Sequence, residues 1–306
     1  MEKNTKELRE VIKEIVSKHL LTNGGLAMGQ CLTAVGWVGN TLPELYEDAG
    51  MVELSMADVA GGGFAVGAAL AGRRPMYIIR YQGFNWFNAP IIINYACKSK
   101  EIWRRPCPIF IRSIAMEGGI GPVAGSSHHS LYYRMPGIKI YSPMTPGEYI
   151  QTYDDFMNGD DVFYVSEHRG AFGQKEELPN IEFENPVYTL FPISITRIAA
   201  HEAAKELYRE YGIKVAVHHI FKLKPFEPTQ KSIRSLSNSI FGGCVIDDDY
   251  VDGVAKTLAY DLSIKASMPI DVLGLEDRSA GFGHGLDNLL PSKESIIKFI
   301  LERIKK

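Results

Sequence analysis

The stretch from Met51 to Phe87, MVELSMADVAGGGFAVGAALAGRRPMYIIRYQGFNWF, constrains this chain more than any other. An apolar run ends in Asp58, the glycines Gly61, Gly62 and Gly63 mark a turn, and small residues from Phe64 to Ala71 form a helix. Arg73, Arg74 and Pro75 close that helix, and a second strand, Met76 to Tyr81, leads into aromatics at Phe84, Trp86 and Phe87. A strand, helix and strand within about 30 residues is the spacing of a parallel crossover. Ligands of open parallel sheets collect at the carboxyl ends of strands, and Asp58 stands at such an end.

The flanking sequence continues the alternation. The chain opens on an amphipathic helix with apolar residues at Leu8, Ile12, Ile15, Val16 and Leu20, stopped near Gly24 and Gly25. Leu42 to Tyr46 reads as a short helix, Ala89 to Lys100 as a longer one, and PIFIRS (108–113) as a buried strand. Residues 115–130, AMEGGIGPVAGSSHHS, form a long glycine-rich loop of the kind that is usually functional. IKIYSP (138–143) and VFYVSE (162–167) are strands around a helix that Thr145 caps and Pro146 begins.

Residues 174–192 are polar and proline-bearing without periodicity, and the domain boundary falls there. Beyond it come strands at 194–200, 214–221, 243–249 and MPIDVLGL, alternating with helices that include HEAAKELYREYG and the terminal SKESIIKFILERIKK. The expected fold is α/β: two doubly wound domains, a larger one over residues 1–180 with a mostly parallel sheet and a smaller one over 190–306.

Composition narrows the function classes. A net charge of −3 with 23% charged residues gives no electrostatic case for nucleic acid or an anionic membrane. No apolar run approaches the roughly 20 residues of a membrane span, and a cytoplasmic location is expected. Cys31, Cys97, Cys107 and Cys244 have neither zinc nor disulfide-framework spacing and are expected to be free, buried thiols. The glycine run is not a dinucleotide fingerprint, and there is no P-loop, HExxH or GxSxG.

Each candidate also has an ordinary reading. Asp58 is a helix cap, His128 and His129 bond loop backbone, Phe84, Trp86 and Phe87 are core, and Glu167, His168 and Arg169 form a solvated strand edge. Asp247, Asp248 and Asp249 end a strand as a salt-bridge cluster or a cation site.

The ordered set is more specific than its members. DVAGGGFAVGAALAGRRP (58–75), the aromatic cluster, GIGPVAGSSHHS (119–130), PGIKIYSPMTP (136–146), DDVFYVSEHRGAFG (160–173), KVAVHHIFKLKPFEP (214–228) and PIDVLGLEDR (269–278) occur in that order. Together they resemble the beta subunit of the thiamin diphosphate-dependent first component of 2-oxo acid dehydrogenases and the matching half of transketolases. The resemblance implies a pyrimidine-binding first domain and a transketolase-like C-terminal domain.

It also implies roles by position. Asp58 stands where the family has a glutamate that hydrogen-bonds the aminopyrimidine ring and favours its imino form; aspartate is one methylene shorter. Phe84 matches the ring that stacks on the pyrimidine, and His129 the loop histidine that moves protons or holds substrate. His128, His168 and Arg169 are further substrate candidates, Arg169 for an anionic group. Gly125 stands where transketolases place an aspartate, and SLYYRMPGIKI gives a transketolase-like short loop, whereas SEHRGAFG and SPMTPGEY match the dehydrogenase branch.

The family's Gly-Asp-Gly and downstream Asn, which hold magnesium and the diphosphate, do not occur; Asn158, Gly159 and Asp160 have the wrong order. No metal ligand is therefore expected in this chain. An alpha-type partner carrying the diphosphate half and Mg2+ is implied, in an alpha2beta2 assembly. The alternatives are a transketolase C-terminal subunit and a non-catalytic regulatory relative, the latter suggested by Asp58.

Overall fold

The computed structural model describes residues 6–116 and 126–305, so most of the glycine-rich loop, Gly125 included, lies outside the described residues. The chain divides into two compact units, residues 6–116 with 126–177, and residues 178–305.

The first unit is built on β1 (Leu26–Gln30), β2 (Met51–Leu54), β3 (Pro75–Ile79), β4 (Phe110–Ala115), β5 (Ile138–Tyr141) and β6 (Val162–His168). They lie in the order β2-β1-β3-β4-β6-β5 and every neighbouring pair is parallel. All residues of β3, β4 and β6 are buried, as expected of central strands covered on both faces. In the register of β4 with β6, Ser113 faces Ser166 and Ala115 faces His168, which brings the polar ends of two apolar strands together.

Helix formation follows local chemistry. In the first helix, Leu8–Leu21, the apolar stripe is buried, and Glu10 reaches back to the Glu7 backbone N–H at 2.6 Å to close a capping box. Thr145 caps the Pro146–Met157 helix by accepting from the Glu148 N–H at 3.4 Å, with Pro146 in its first turn.

The glycine run behaves differently from its expected reading. Gly61, Gly62 and Gly63 are not a turn but lie inside a helix, Asp58–Leu70, that begins at Asp58 itself. The reason is close packing: a Cβ on Gly61 would lie 2.6 Å from the Tyr77 hydroxyl. Leu42 to Tyr46 is not helical, and a short 3-10 turn, Glu47–Ala49, follows it. The helix expected from Ala89 starts at Asn85, passes through a π-type turn at Ile92–Ala96, and resumes as Cys97–Trp103. Cys97, Cys107 and Cys244 are buried thiols outside any disulfide, whereas the Cys31 thiol is half-buried.

In the second unit the strands Ile270–Leu275, Gly243–Tyr250, Tyr188–Pro192 and Val215–Val217 lie in that order, all parallel. Here the strand expected at 194–200 is corrected. Tyr188–Pro192 supplies the strand, inside the proline-bearing stretch, and residues from Thr196 begin the Thr196–Tyr211 helix. Prolines 186 and 192 bracket that strand and hide it in the sequence, yet its residues are fully buried between neighbours. Asp247, Asp248 and Asp249 are neither a loop nor solvated: all three are buried within the Gly243–Tyr250 strand, and Ser194 donates to Asp248 Oδ2 at 2.8 Å.

Three histidines give this unit a pH dependence. His201 Nδ1 and His219 Nε2 lie 3.3 Å apart, and His218 stacks on Phe191. Burial holds all three below the ordinary imidazole range, with Lys205 adding to the effect on His201 and Arg197 to that on His219. A histidine held neutral in the fold takes up its proton only on unfolding. The stability it contributes is therefore complete above about pH 6.5 and falls as pH drops below that value, by at most about 1.4 kcal/mol per pH unit for each such ring. Thermal melts between pH 7 and 5 check this. The expected result is a falling midpoint whose slope flattens in His218→Asn; an unchanged slope in that variant removes His218 from the account.

Candidate active site

Asp58 occupies the first position of its helix and is half-buried. Its Oδ1 accepts from Asn88 Nδ2 at 3.2 Å, and the same Asn88 amide donates to the Phe84 carbonyl at 3.0 Å. Tyr77 in turn donates its hydroxyl to Asn88 Oδ1. Burial, and then the Asp58 charge, push the Tyr77 phenol well above its usual range, so it stays a donor. Asn88 thus fixes the carboxylate and the start of the aromatic helix against each other. Phe84 itself is half-buried, edge-to-face with Tyr81 at 6.0 Å, which leaves part of its ring available for stacking.

A second network fixes the histidines. Gln82 opens the 3-10 turn Gln82–Phe84 three residues after β3 and is fully buried; its Nε2 donates to Ser166 Oγ at 2.7 Å and to the Ser113 carbonyl at 3.2 Å. Its Oε1 accepts the His128 backbone N–H at 2.6 Å. His129 is buried, with Nδ1 3.2 Å from the same Ser166 Oγ. Ser166 Oγ thus meets both the Gln82 amide and the His129 ring, and links that amide to the imidazole. Asn85 closes the network, donating to the Tyr164 hydroxyl at 2.7 Å and accepting from Ser113 Oγ at 3.1 Å. These linked bonds tie the residues from His128 onward to the ends of the central strands.

The structure therefore brings Asp58 and Phe84 together through Asn88, and ties His128 and His129 to the strand ends through Gln82 and Ser166. The His128 ring lies edge-to-face against Trp86 at 6.3 Å. His168 is buried, and its Nδ1 accepts from the Gly170 N–H at 3.1 Å, capping the turn after β6. Arg169 is half-buried, with Nη1 3.9 Å from Met116 Sδ.

Two ordinary readings are overturned. Trp86 and Phe87 are 59% and 53% exposed and are not core. Glu167 is buried rather than solvated, gripped by the equally buried Arg112 through Nε to Oε1 at 2.7 Å and Nη2 to Oε2 at 2.9 Å. The residues missed by sequence reasoning are Tyr77, Gln82, Asn85, Asn88, Ser113 and Ser166. A signal was present: Gln82, Asn85 and Asn88 recur every three residues through an aromatic run, a polar stripe on one helical face.

Residues 8–174 match a family model described as transketolase, pyrimidine binding domain. Among curated proteins the chain is similar to 2-oxoisovalerate dehydrogenase subunit beta of Bacillus subtilis, 27% identical over 177 residues that cover 52% of this chain and 51% of that protein. Similarity to pyruvate dehydrogenase E1 component subunit beta of Rickettsia felis is 22% over 320 residues and covers 96% of both. The acetoin:2,6-dichlorophenolindophenol oxidoreductase subunit beta of Cupriavidus necator is 24% identical over 194 residues, 58% of this chain and 56% of that protein. The match thus spans about half the length of the Bacillus and Cupriavidus proteins and nearly all of the Rickettsia one.

Two solved structures share the fold. One is a split gene transketolase described as an inactive beta4 tetramer, with a TM-score of 0.73, 16% identity and 98% of both chains covered. The other, transketolase from Campylobacter jejuni, has a TM-score of 0.75 and 15% identity, covering 97% of this chain and 46% of that one. The family model's span, more than half of the chain, settles the assignment: the chain belongs to the transketolase pyrimidine-binding domain family.

Proposed function

We propose that this chain is the pyrimidine-binding, beta-type subunit of a heteromeric thiamin diphosphate-dependent enzyme that cleaves a carbon–carbon bond beside the carbonyl of a 2-oxo acid. The observation that carries the reading is the pair of hydrogen bonds that the Asn88 amide donates to Asp58 Oδ1 and to the Phe84 carbonyl, at 3.2 and 3.0 Å. It presents a carboxylate and a partly open aromatic face as one rigid unit, and that donor set fits a flat, nitrogen-bearing ring.

Asp58 would hold a proton at the pyrimidine ring, and Phe84 would stack on its face without competing for its hydrogen bonds. His129, with Nδ1 engaged by Ser166, would carry a proton on its other nitrogen toward the reacting atoms. Thiamin diphosphate, when bound, supplies the carbanion chemistry that no side chain can. The relatives named as beta subunits of 2-oxo acid dehydrogenases support the substrate class.

The diphosphate and Mg2+ would be held by an alpha-type partner. Support comes from an uncovered apolar face on the two helices that build the site, where Val59 and Phe64 are 55% and 62% exposed beside Trp86 and Phe87. Exposed Tyr260, Ile264 and Phe282 on the second unit support pairing of two such chains in an alpha2beta2 assembly.

Calorimetric titration of thiamin diphosphate with Mg2+ tests this, first into the chain alone and then into the chain with its alpha-type partner. Binding to the pair only is the expected result. Binding to neither overturns the enzyme reading and leaves a regulatory relative that has kept the fold.

A further inference from the structure

Arg73-Arg74 and Arg104-Arg105 each stand directly before a proline, Pro75 and Pro106, on the way into a strand. Those strands, β3 and β4, are parallel neighbours with Met76 beside Phe110, so the sheet brings the two Arg-Arg-Pro sequences together at its amino-terminal end. Between them lies a groove of about 360 Å³, whose lining includes Arg73, Arg74 and Arg105, Asp160 ahead of β6, and Leu70 and Pro106 as an apolar bed. That volume is in the range of small-molecule sites. The Asp58–Leu70 helix, 13 residues or roughly 20 Å long, separates the groove from Asp58, so it is distinct from the candidate active site.

The fold uses these arginines unequally. Arg74 is engaged: it donates to the carbonyls of Phe156 and Gly159 at 3.0 and 2.8 Å and to Asp160 Oδ1 at 3.1 Å. Arg73 bonds the Gly24 and Gly25 carbonyls through Nη2, at 2.6 and 3.4 Å, and meets no carboxylate among the described residues. Arg105 is exposed, and its side chain makes no hydrogen bond or ion pair among the described residues. Nor are guanidiniums needed to cap the helix that ends here, because the carbonyls of Gly67, Ala68 and Ala69 already accept the backbone N–H groups of Ala71, Arg73 and Gly72. The carboxylate of the lining, Asp160, is paired with Arg74, so two guanidiniums line the groove without a counter-charge in it.

We propose that this groove binds a nucleoside diphosphate or triphosphate, with Arg73 and Arg105 holding its phosphates and Leu70 and Pro106 bedding the nucleoside. A guanidinium suits a phosphate because it offers a planar fork of donors to two oxygens at once. Two of them, on neighbouring strand entries whose backbones run about 5 Å apart, call for more than one anionic group; a single carboxylate leaves one fork unmet. The apolar bed favours a ligand with an uncharged part over a bare anion. The site stands apart from the reading of Asp58 and Phe84 and does not depend on it.

The test is calorimetric titration of the full chain with ATP, pyrophosphate and adenosine, at low salt and with EDTA present. ATP is expected to bind about tenfold more tightly than adenosine, several-fold more tightly than pyrophosphate, and more weakly as salt rises. Arg105→Met should weaken ATP about tenfold while leaving the melting midpoint unchanged, and Arg105→Lys, which keeps the charge but not the fork, should fall in between. Asp160→Asn should act in the opposite direction and tighten ATP about two- to threefold, because it removes the carboxylate from the lining. Equal affinity for ATP and adenosine, ATP binding that neither Arg105→Met nor Asp160→Asn alters, or no ATP binding at all overturns the proposal. Pyrophosphate as tight as ATP overturns the nucleoside and leaves an inorganic polyphosphate as the ligand. A chain that holds ATP through Arg105 but never takes up thiamin diphosphate with its partner keeps this groove and loses the reaction centre; the converse pattern does the reverse.

Discussion

Asp58→Ala is expected to lower turnover of the assembled enzyme by 10²–10³-fold, about the cost of removing one group that stabilises developing charge in a preorganised site. The same change costs little stability. Asp58 is half-buried, its bond to Asn88 contributes about 1 kcal/mol, and its charge at a helix start contributes about 0.3–1 kcal/mol. The split between the two readouts separates a cofactor-facing carboxylate from an ordinary helix cap. Asp58→Asn sharpens the separation, because it preserves shape and can still bond Asn88 while removing the charge. Asp58→Glu is expected to retain or raise activity, since its longer side chain carries the carboxylate outward by about a C–C bond length, and a 1 Å misplacement can be worth about 100-fold. Steady-state turnover and thermal melts of the three variants decide the matter: wild-type turnover in Asp58→Asn or Asp58→Ala removes the residue from the chemistry.

The parallel α/β architecture was legible because apolar runs and helical stripes alternate at crossover spacing from β1 onward, and the order of the motifs identified the family. What stayed hidden depended on tertiary packing. The glycines at 61–63 read as a turn because propensity penalises them in a helix, yet the proximity of Tyr77 leaves no room for a methyl at Gly61. Tyr188–Pro192 read as linker because of its flanking prolines, and only its place between two parallel neighbours makes it a strand. In the candidate site, Asp58, Phe84 and His129 were singled out through residue type and order. Gln82, Asn88 and Ser166, which hold them, were not, because a buried amide or hydroxyl declares its partners only once strands β3, β4 and β6 lie side by side. Glu167 was misjudged for the same reason: its partner Arg112 lies 55 positions away in sequence.

Glu167→Ala is accordingly expected to destabilise the first unit by about 3–5 kcal/mol, the cost of leaving a buried charge without its partner. Arg112 is fully buried, and besides both Glu167 oxygens it donates to Thr41 Oγ1 at 2.9 Å; its Nη1 has no hydrogen-bond partner among the described residues. Tyr149, also buried, donates to Glu167 Oε1 at 2.7 Å and loses that acceptor as well. The melting midpoint of this unit should fall by on the order of 10 °C. Replacing both partners, as in Arg112→Met with Glu167→Met, removes the uncompensated charge and should recover most of the loss. Glu167 also sits between Ser166, which engages His129, and His168, so the single variant is expected to loosen the histidine end of the site while the double variant restores it. A single variant within 1 kcal/mol of wild type, or a double variant no better than the single, shows that the ion pair does not anchor the end of β6. The polar network around His129 would then have to be held by Gln82 and Asn85 alone.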